Sequence, residues 1–239
     1  MIRTIAAVLY FGGALLLFVP PLILWSMLTG SPDFMYWTVM RAVRLGVRLA
    51  GIRVHIEGIE NIPAGVCIFA ANHTSNVDPL AFIPNIPRRV AILVKKELFR
   101  VPILSKAMRL ANFVPVDRMD KEAAAASVDI AVQSLKRGQS FAVYPEGTRS
   151  PDGRMRSFKK GTIVMAIEAG APVVPVSIAG AEKLMPKGGW TLRGGEVIIR
   201  FGPPVDPSAY SLERRGEMLA RVEALVAAGL PPEQQPVES

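Results

Sequence analysis

Residues 66–79 read "VCIFAANHTSNVDP". Six apolar residues in a row, too few for a helix and bounded by polar ones, predict a strand buried on both faces at Val66–Ala71. The polar run Asn72–Asp78 predicts a loop, and Asp78-Pro79 supplies a helix N-cap followed by a first-turn proline. A buried strand that feeds a polar loop and then a helix is the repeating unit of an α/β protein.

Working outward, short runs rich in Val, Ile and Phe predict strands at Arg53–Glu57, Val90–Val94, Phe113–Val116, Ser140–Tyr144, Val173–Ile178 and Glu196–Phe201. Helices are predicted at Ile103–Leu110 behind Pro102, at Lys121–Lys136 with Gly138 just beyond, at Thr162–Ala169 closed by Gly170, and at Leu212–Ala228. This alternation predicts an α/β domain over residues 51–230, with a central, mostly buried mixed sheet flanked by helices. The polar, proline-rich end at 231–239, "PPEQQPVES", is expected to be disordered.

Upstream, "IAAVLYFGGALLLFVPPLILWSML" (Ile5–Leu28) carries no charge and is long enough to cross a hydrocarbon core. Pro20-Pro21 interrupts it, which leaves two readings: one kinked spanning helix, or a helical hairpin dipping into one leaflet. No Ala-x-Ala-like cleavage site follows in "TGSPDF", so the segment reads as a retained anchor. In "FMYWTVMRAVRLGVRLAGIRV" (34–54), Arg41, Arg44 and Arg48 recur at helical spacing beside Tyr36 and Trp37. Such a basic amphipathic helix suits an anionic leaflet. Residues 1–50 are thus expected to be a membrane-associating helical segment.

Composition agrees with that division. The 239 residues leave room for one domain plus attachments, half of them are apolar, and the mean hydropathy of +0.31 points to lipid contact. A formal charge of +8 favours anionic partners without choosing among nucleic acid, phosphorylated substrates and an acidic membrane. Cys67, the single cysteine, cannot form an intrachain disulfide; inside an apolar strand it reads as a small buried hydrophobe in a reducing compartment.

Three strand ends carry polar residues, at Asn72–Asp78, Asp117-Arg118 and Pro145–Ser150, and open α/β sheets bind ligands beyond strand ends. His73 and Asp78 make chemical sense as a general base and the carboxylate that orients it. The residues alone equally allow Asp78 as a cap and His73 bonded to a backbone carbonyl. In "YPEGTRS" (144–150), Gly147 permits close backbone approach while Thr148, Arg149 and Ser150 offer donors suited to phosphate; "FKKGT" (158–162) adds Lys159 and Lys160. There is no Gly-x-Ser-x-Gly, no Walker or dinucleotide glycine pattern and no metal-ligand cluster, and His55 reads as a structural strand residue. Base catalysis on a phosphorylated substrate at a membrane remains.

At these residues the chain resembles the glycerolipid acyltransferases. "NHTSNVD" is similar to their Asn-His-x4-Asp block and "YPEGTRS" to their Phe-Pro-Glu-Gly-Thr-Arg-Ser block; "KKELFRVP" with "VPVDR" and then "VVPVSI" supply two further blocks in the family's order, over about residues 55–200. The chain departs from the pattern at Ser105 and Asn112, where the family usually has glycines, and at Thr74 and Tyr144.

The resemblance implies transfer of an acyl group from an acyl thioester to the 2-hydroxyl of 1-acyl-sn-glycerol 3-phosphate, with His73 as base and Asp78 as its partner. Lys95, Arg118 and Arg149 would hold the glycerol phosphate, and Glu146, Gly147 and Thr148 would shape its pocket. It implies no metal and no cofactor beyond acyl-CoA or acyl-carrier protein as co-substrate. The implied partners are anionic membrane lipids, a lyso-phospholipid acceptor and the thioester donor, with no nucleic acid, at the cytoplasmic face of the inner membrane. A same-family enzyme with another acceptor, a thioesterase, or a lipid-binding protein without catalysis are the readings it competes with.

Overall fold

The computed structural model describes residues 1–117 and 119–236, without the side chain of Lys121. Seven strands form one sheet in the order β1-β7-β6-β2-β5-β3-β4: β1 (Ile52–Glu57), β2 (Ile68–Ala71), β3 (Val90–Lys95), β4 (Val114–Val116), β5 (Ser140–Val143), β6 (Val173–Ala179) and β7 (Gly195–Phe201). Every neighbouring pair is parallel except β6 with β7, so the sheet is mixed, as expected. All seven predicted strands are present, with ends displaced by no more than two residues.

The helices are α1 (Ile2–Thr29), α2 (Asp33–Leu49), α3 (Val77–Phe82), α4 (Pro102–Leu110), α5 (Lys121–Lys136), α6 (Gly161–Ala169), α7 (Ala181–Leu184) and α8 (Arg215–Ala228). Period-2 alternation splits the core between the two faces of the sheet. Phe69 and Ala71 of β2 pack with Phe82, Ile178 and Phe201 under α2 and α3. Ile68 and Ala70 pack with Phe141, Ile163, Met165 and Val222 under α5, α6 and α8. The central strands are therefore covered on both sides, and their loops are the part of the sheet left to meet a ligand.

Of the two readings of the N-terminal segment, the structure shows the single helix. Pro20-Pro21 does not break the helix, because a π-helical turn at Ala14–Phe18 precedes it. The prolines then fall in the first turn of the following stretch, Val19–Thr29, where their missing N–H groups are least needed. The hairpin turn comes later: Gly30 adopts φ 68°, Pro32 follows, and α2 runs back. Over α1 the peak mean hydropathy is 2.2 with only 6% of that window buried, so the helix is long and apolar enough to cross a membrane. An apolar helix left this uncovered is a membrane-associating element.

Helix α2 is not the free amphipathic face its sequence suggests. Tyr36 turns into the domain at 2% exposure, its hydroxyl accepts the Val90 N–H at 3.1 Å, and the Arg89 guanidinium lies 5.4 Å from its ring centre. Arg44 donates to the Pro84 carbonyl, whereas Arg41 and Arg48 stay exposed. The C-terminal stretch also departs from the disorder expected of it. Pro232–Gln234 forms a 3-10 turn, Gln234 is buried, and its carbonyl accepts the Met155 N–H at 2.8 Å; 237–239 lie outside the described residues. A buried amide anchor, invisible to composition, overrides the tail's polarity.

Candidate active site

Strands β2 and β5 are parallel neighbours, with Ala70 opposite Val143. Their C-terminal loops, 73 residues apart in sequence, therefore lie side by side. Asn72 opens the first loop and is fully buried. Its amide nitrogen donates to the Ile178 carbonyl at 2.9 Å, and its amide oxygen accepts the Ile178 N–H at 2.7 Å, pinning the loop to β6. Asn72 was missed in the sequence; the available signal was a carboxamide ending a buried strand, which must find partners.

Asp78 is not the N-cap its place before Pro79 suggests. Helix α3 starts at Val77, Asn76 precedes it without a side-chain cap bond, and Asp78 sits inside the first turn. From there its carboxylate turns back into the loop. Oδ2 accepts the Thr74 N–H at 2.7 Å, the Ser75 N–H at 2.8 Å and a bond of 2.8 Å from His73 Nδ1. The carboxylate has no exposure, while the His73 side chain keeps 13%. A ring nitrogen facing a carboxylate holds the proton, which leaves Nε2 as the nitrogen with a free lone pair. The carboxylate thus fixes the orientation of the imidazole ring, with Nε2 on the side away from Asp78.

The second loop grips the same histidine. Glu146, 3% exposed, accepts the His73 N–H through Oε1 at 2.8 Å, and the Ser150 N–H donates to the His73 carbonyl at 2.8 Å. Burial pushes the Glu146 carboxyl up to about 8, against the opposing pull of N–H bonds from His73 and Arg156. Tyr144 stacks on the His73 ring with centroids 4.2 Å apart and planes at 25°, and its hydroxyl is buried without a partner. Gly147 adopts φ 73°, and a Cβ there would meet the Lys159 side chain at 3.0 Å. The backbone requires the glycine, whereas the flexible end of Lys159 could swing away from a Cβ.

The remaining candidates fall at increasing distance. Thr148 and Arg149 are half-buried on the rim of the second loop. Lys95 ends β3, two strand positions from β2 or roughly 10 Å. Its ammonium lies exposed, 3.6 Å from Glu97. Asp117 follows β4, one strand further, and pairs with Lys96; Arg118 lies outside the described residues. Two of the three polar strand ends thus meet directly, and the third stands along the same edge of the sheet.

Asn112 has φ 61°, the single left-handed non-glycine among the described residues. Asparagine tolerates that region, so the backbone expected of a glycine there is kept. A cavity of about 400 Å³ opens between the sheet and the α5–α6 pair, lined by Leu93, Val116, Val128, Gly147 and Lys159 among others. Among the described residues no cluster of metal-ligating side chains occurs.

The site is a buried His–Asp pair beyond a central strand with a glutamate–glycine loop packed against it, in a chain with an uncovered apolar helix. The family model described as Acyltransferase matches residues 53–179, over half of the chain, and the chain belongs to that family. It is an acyltransferase. Curated 1-acyl-sn-glycerol-3-phosphate acyltransferases are among its relatives. That of Pseudomonas aeruginosa is 31% identical over 193 residues, covering 79% of this chain and 74% of that protein. That of Borreliella burgdorferi is 34% identical over 170 residues, covering 70% and 68%. A chloroplastic relative from Brassica napus is 33% identical, and the match spans only 47% of its length. The crystal structure of PlsC, the 1-acyl-sn-glycerophosphate (LPA) acyltransferase from Thermotoga maritima, superposes with a TM-score of 0.79 at 32% identity, covering 95% of each chain.

Proposed function

We propose that the chain transfers a fatty acyl group from an acyl thioester, acyl-CoA or acyl-carrier protein, to the 2-hydroxyl of 1-acyl-sn-glycerol 3-phosphate, giving phosphatidate for phospholipid synthesis. The observation that carries the mechanism is the 2.8 Å bond from His73 Nδ1 to a buried carboxylate oxygen that also accepts two backbone N–H groups. His73 Nε2 takes the hydroxyl proton as the oxygen attacks the thioester carbonyl. The tetrahedral intermediate collapses, the C–S bond breaks, and the thiolate leaves with the proton returned by the imidazolium. Asp78 stabilises that imidazolium and stays charged. No acyl-enzyme forms.

Arg149, with Lys95 and, by the resemblance, Arg118, meets the phosphate of the acceptor; Glu146, Gly147 and Thr148 shape its pocket. No metal or cofactor enters the step. In this reading residues 1–50 are the membrane segment and 51–230 the catalytic domain, held at the cytoplasmic leaflet of the inner membrane. The lyso-lipid enters from the bilayer and the thioester from water, both drawn by the basic surface. The test is acyl transfer from oleoyl-CoA by the purified protein in detergent across a panel of lyso-lipids and glycerol 3-phosphate. Preference for lysophosphatidate and its loss in His73→Ala are expected; wild-type turnover in His73→Ala would overturn the base assignment.

A further inference from the structure

One loop remains unused by the site. Residues 185–194, "MPKGGWTLRG", leave α7, turn where the Gly189 N–H donates to the Pro186 carbonyl, and return to β7. Both legs of the loop are tied down. On the way out, Ser75 of the His73 loop donates its hydroxyl to the Met185 carbonyl at 2.7 Å, and Lys187 Nζ donates to the Arg149 carbonyl at 2.9 Å. On the way back, Leu192 is buried and its N–H donates to the Thr4 hydroxyl of α1 at 2.9 Å, while the Arg193 N–H donates to the Leu184 carbonyl. At the apex Trp190 is 89% exposed. The loop is a bridge from the rim of the site to the first turn of the apolar helix, with an indole on its outer side.

An exposed tryptophan alone means little. This one directly precedes Thr191–Gly194, which line a cavity together with Met1 and Ile2, themselves exposed at 90% and 84%. Arg3 and Arg193 line the cavity of about 460 Å³ between helix and loop, and Lys187 is exposed on the outgoing leg of the same loop. An indole and cations carried on one loop that is hydrogen-bonded to the start of an apolar helix match the chemistry of an anionic bilayer interface.

We infer that Trp190 and its flanking cations form a second membrane contact, which seats the rim of the active site at the headgroup layer of an anionic leaflet. Through Met185 and Lys187 the same loop holds the His73 and Arg149 loops at that depth, where a lyso-lipid headgroup is presented. The inference rests on the reading above of a lipid-borne acceptor.

Trp190→Phe touches no buried group, so the fluorescence difference between wild type and this variant isolates Trp190 from Trp25 and Trp37. With vesicles carrying anionic and brominated lipids, that difference signal is expected to shift to the blue and be quenched. A solvent-like, unquenched difference signal on vesicles that have bound the protein would overturn the inference. In assays, Trp190→Ala is expected to lower kcat/KM several-fold for vesicle-embedded long-chain lysophosphatidate while matching wild type on a water-soluble short-chain analogue. Wild-type rates on the vesicles would also overturn it. If neither acceptor is acylated by either protein, the acceptor reading fails, and the fluorescence result decides the membrane contact on its own.

Discussion

The chain's two histidines each face a carboxylate, with opposite results. His55 lies on edge strand β1, its Nε2 3.9 Å from Glu196 Oε1 across the β1–β7 pair, with both side chains about half exposed. Glu196 is shared there with Arg53 at 2.9 Å. His73 lies 2.8 Å from a carboxylate with no exposure. An exposed pair at 3.9 Å is screened by water and mobile, and contributes little to stability or orientation. The buried pair is held by backbone N–H groups on the carboxylate and by Tyr144 on the ring. Proximity of imidazole and carboxylate does not make a base; fixing the carboxylate before the proton arrives does.

The largest expected effect follows from breaking the buried pair. His73→Ala and Asp78→Asn should each lower turnover by about 10²- to 10⁴-fold, the range general-base catalysis supplies. Steady-state assays alongside circular dichroism would show whether activity falls with the fold intact.

Next comes Glu146, which holds the His73 backbone. Its carboxyl is raised from 4.5 to about 8, so the native protein keeps a proton that the unfolded chain releases. Between those values stability must fall as pH rises, by an amount on the order of a few kcal/mol. Glu146→Gln keeps an oxygen for the His73 N–H and removes the titration. Urea denaturation at pH 5, 7 and 9 should show a declining stability in wild type that this variant loses.

A smaller effect is expected at the stacked ring. Tyr144→Phe retains the ring against His73 and removes a buried hydroxyl without a partner, so the unfolding free energy should be unchanged or rise, by about 1 kcal/mol at most. Tyr144→Ala should instead destabilise by about 3 kcal/mol and lower turnover. The smallest effect belongs to the exposed pair: His55→Ala should stay within about 0.5 kcal/mol of wild type and keep its activity.

Much of this was legible in the residues. The seven strands could be found because each buried run is short, branched and bounded by turn-forming residues, and the His73 and Glu146 loops because polar residues clustered at strand ends. The roles of Asn72 and Tyr144 were not legible, since an amide or a phenol ending a strand looks the same whether or not it meets a partner 106 or 71 residues away. Asp78 looked like a cap because Asp-Pro occurs at helix starts; which N–H groups it accepts depends on how the loop doubles back. The proline pair looked like a break because a π turn leaves no compositional trace.

The sequence by itself determined the class of fold, the apolar helix and the net positive charge, and singled out His73 and Asp78 as the proposed base and its carboxylate, all from local patterns and residue chemistry. Tertiary structure alone decided which strands are neighbours, and through the β2–β5 pairing which two loops share one site. It also decided that Tyr36 and Gln234 turn inward and that one histidine is held while the other is free. Burial and hydrogen-bond partners are properties of packing between distant segments, which a local pattern of residues does not encode.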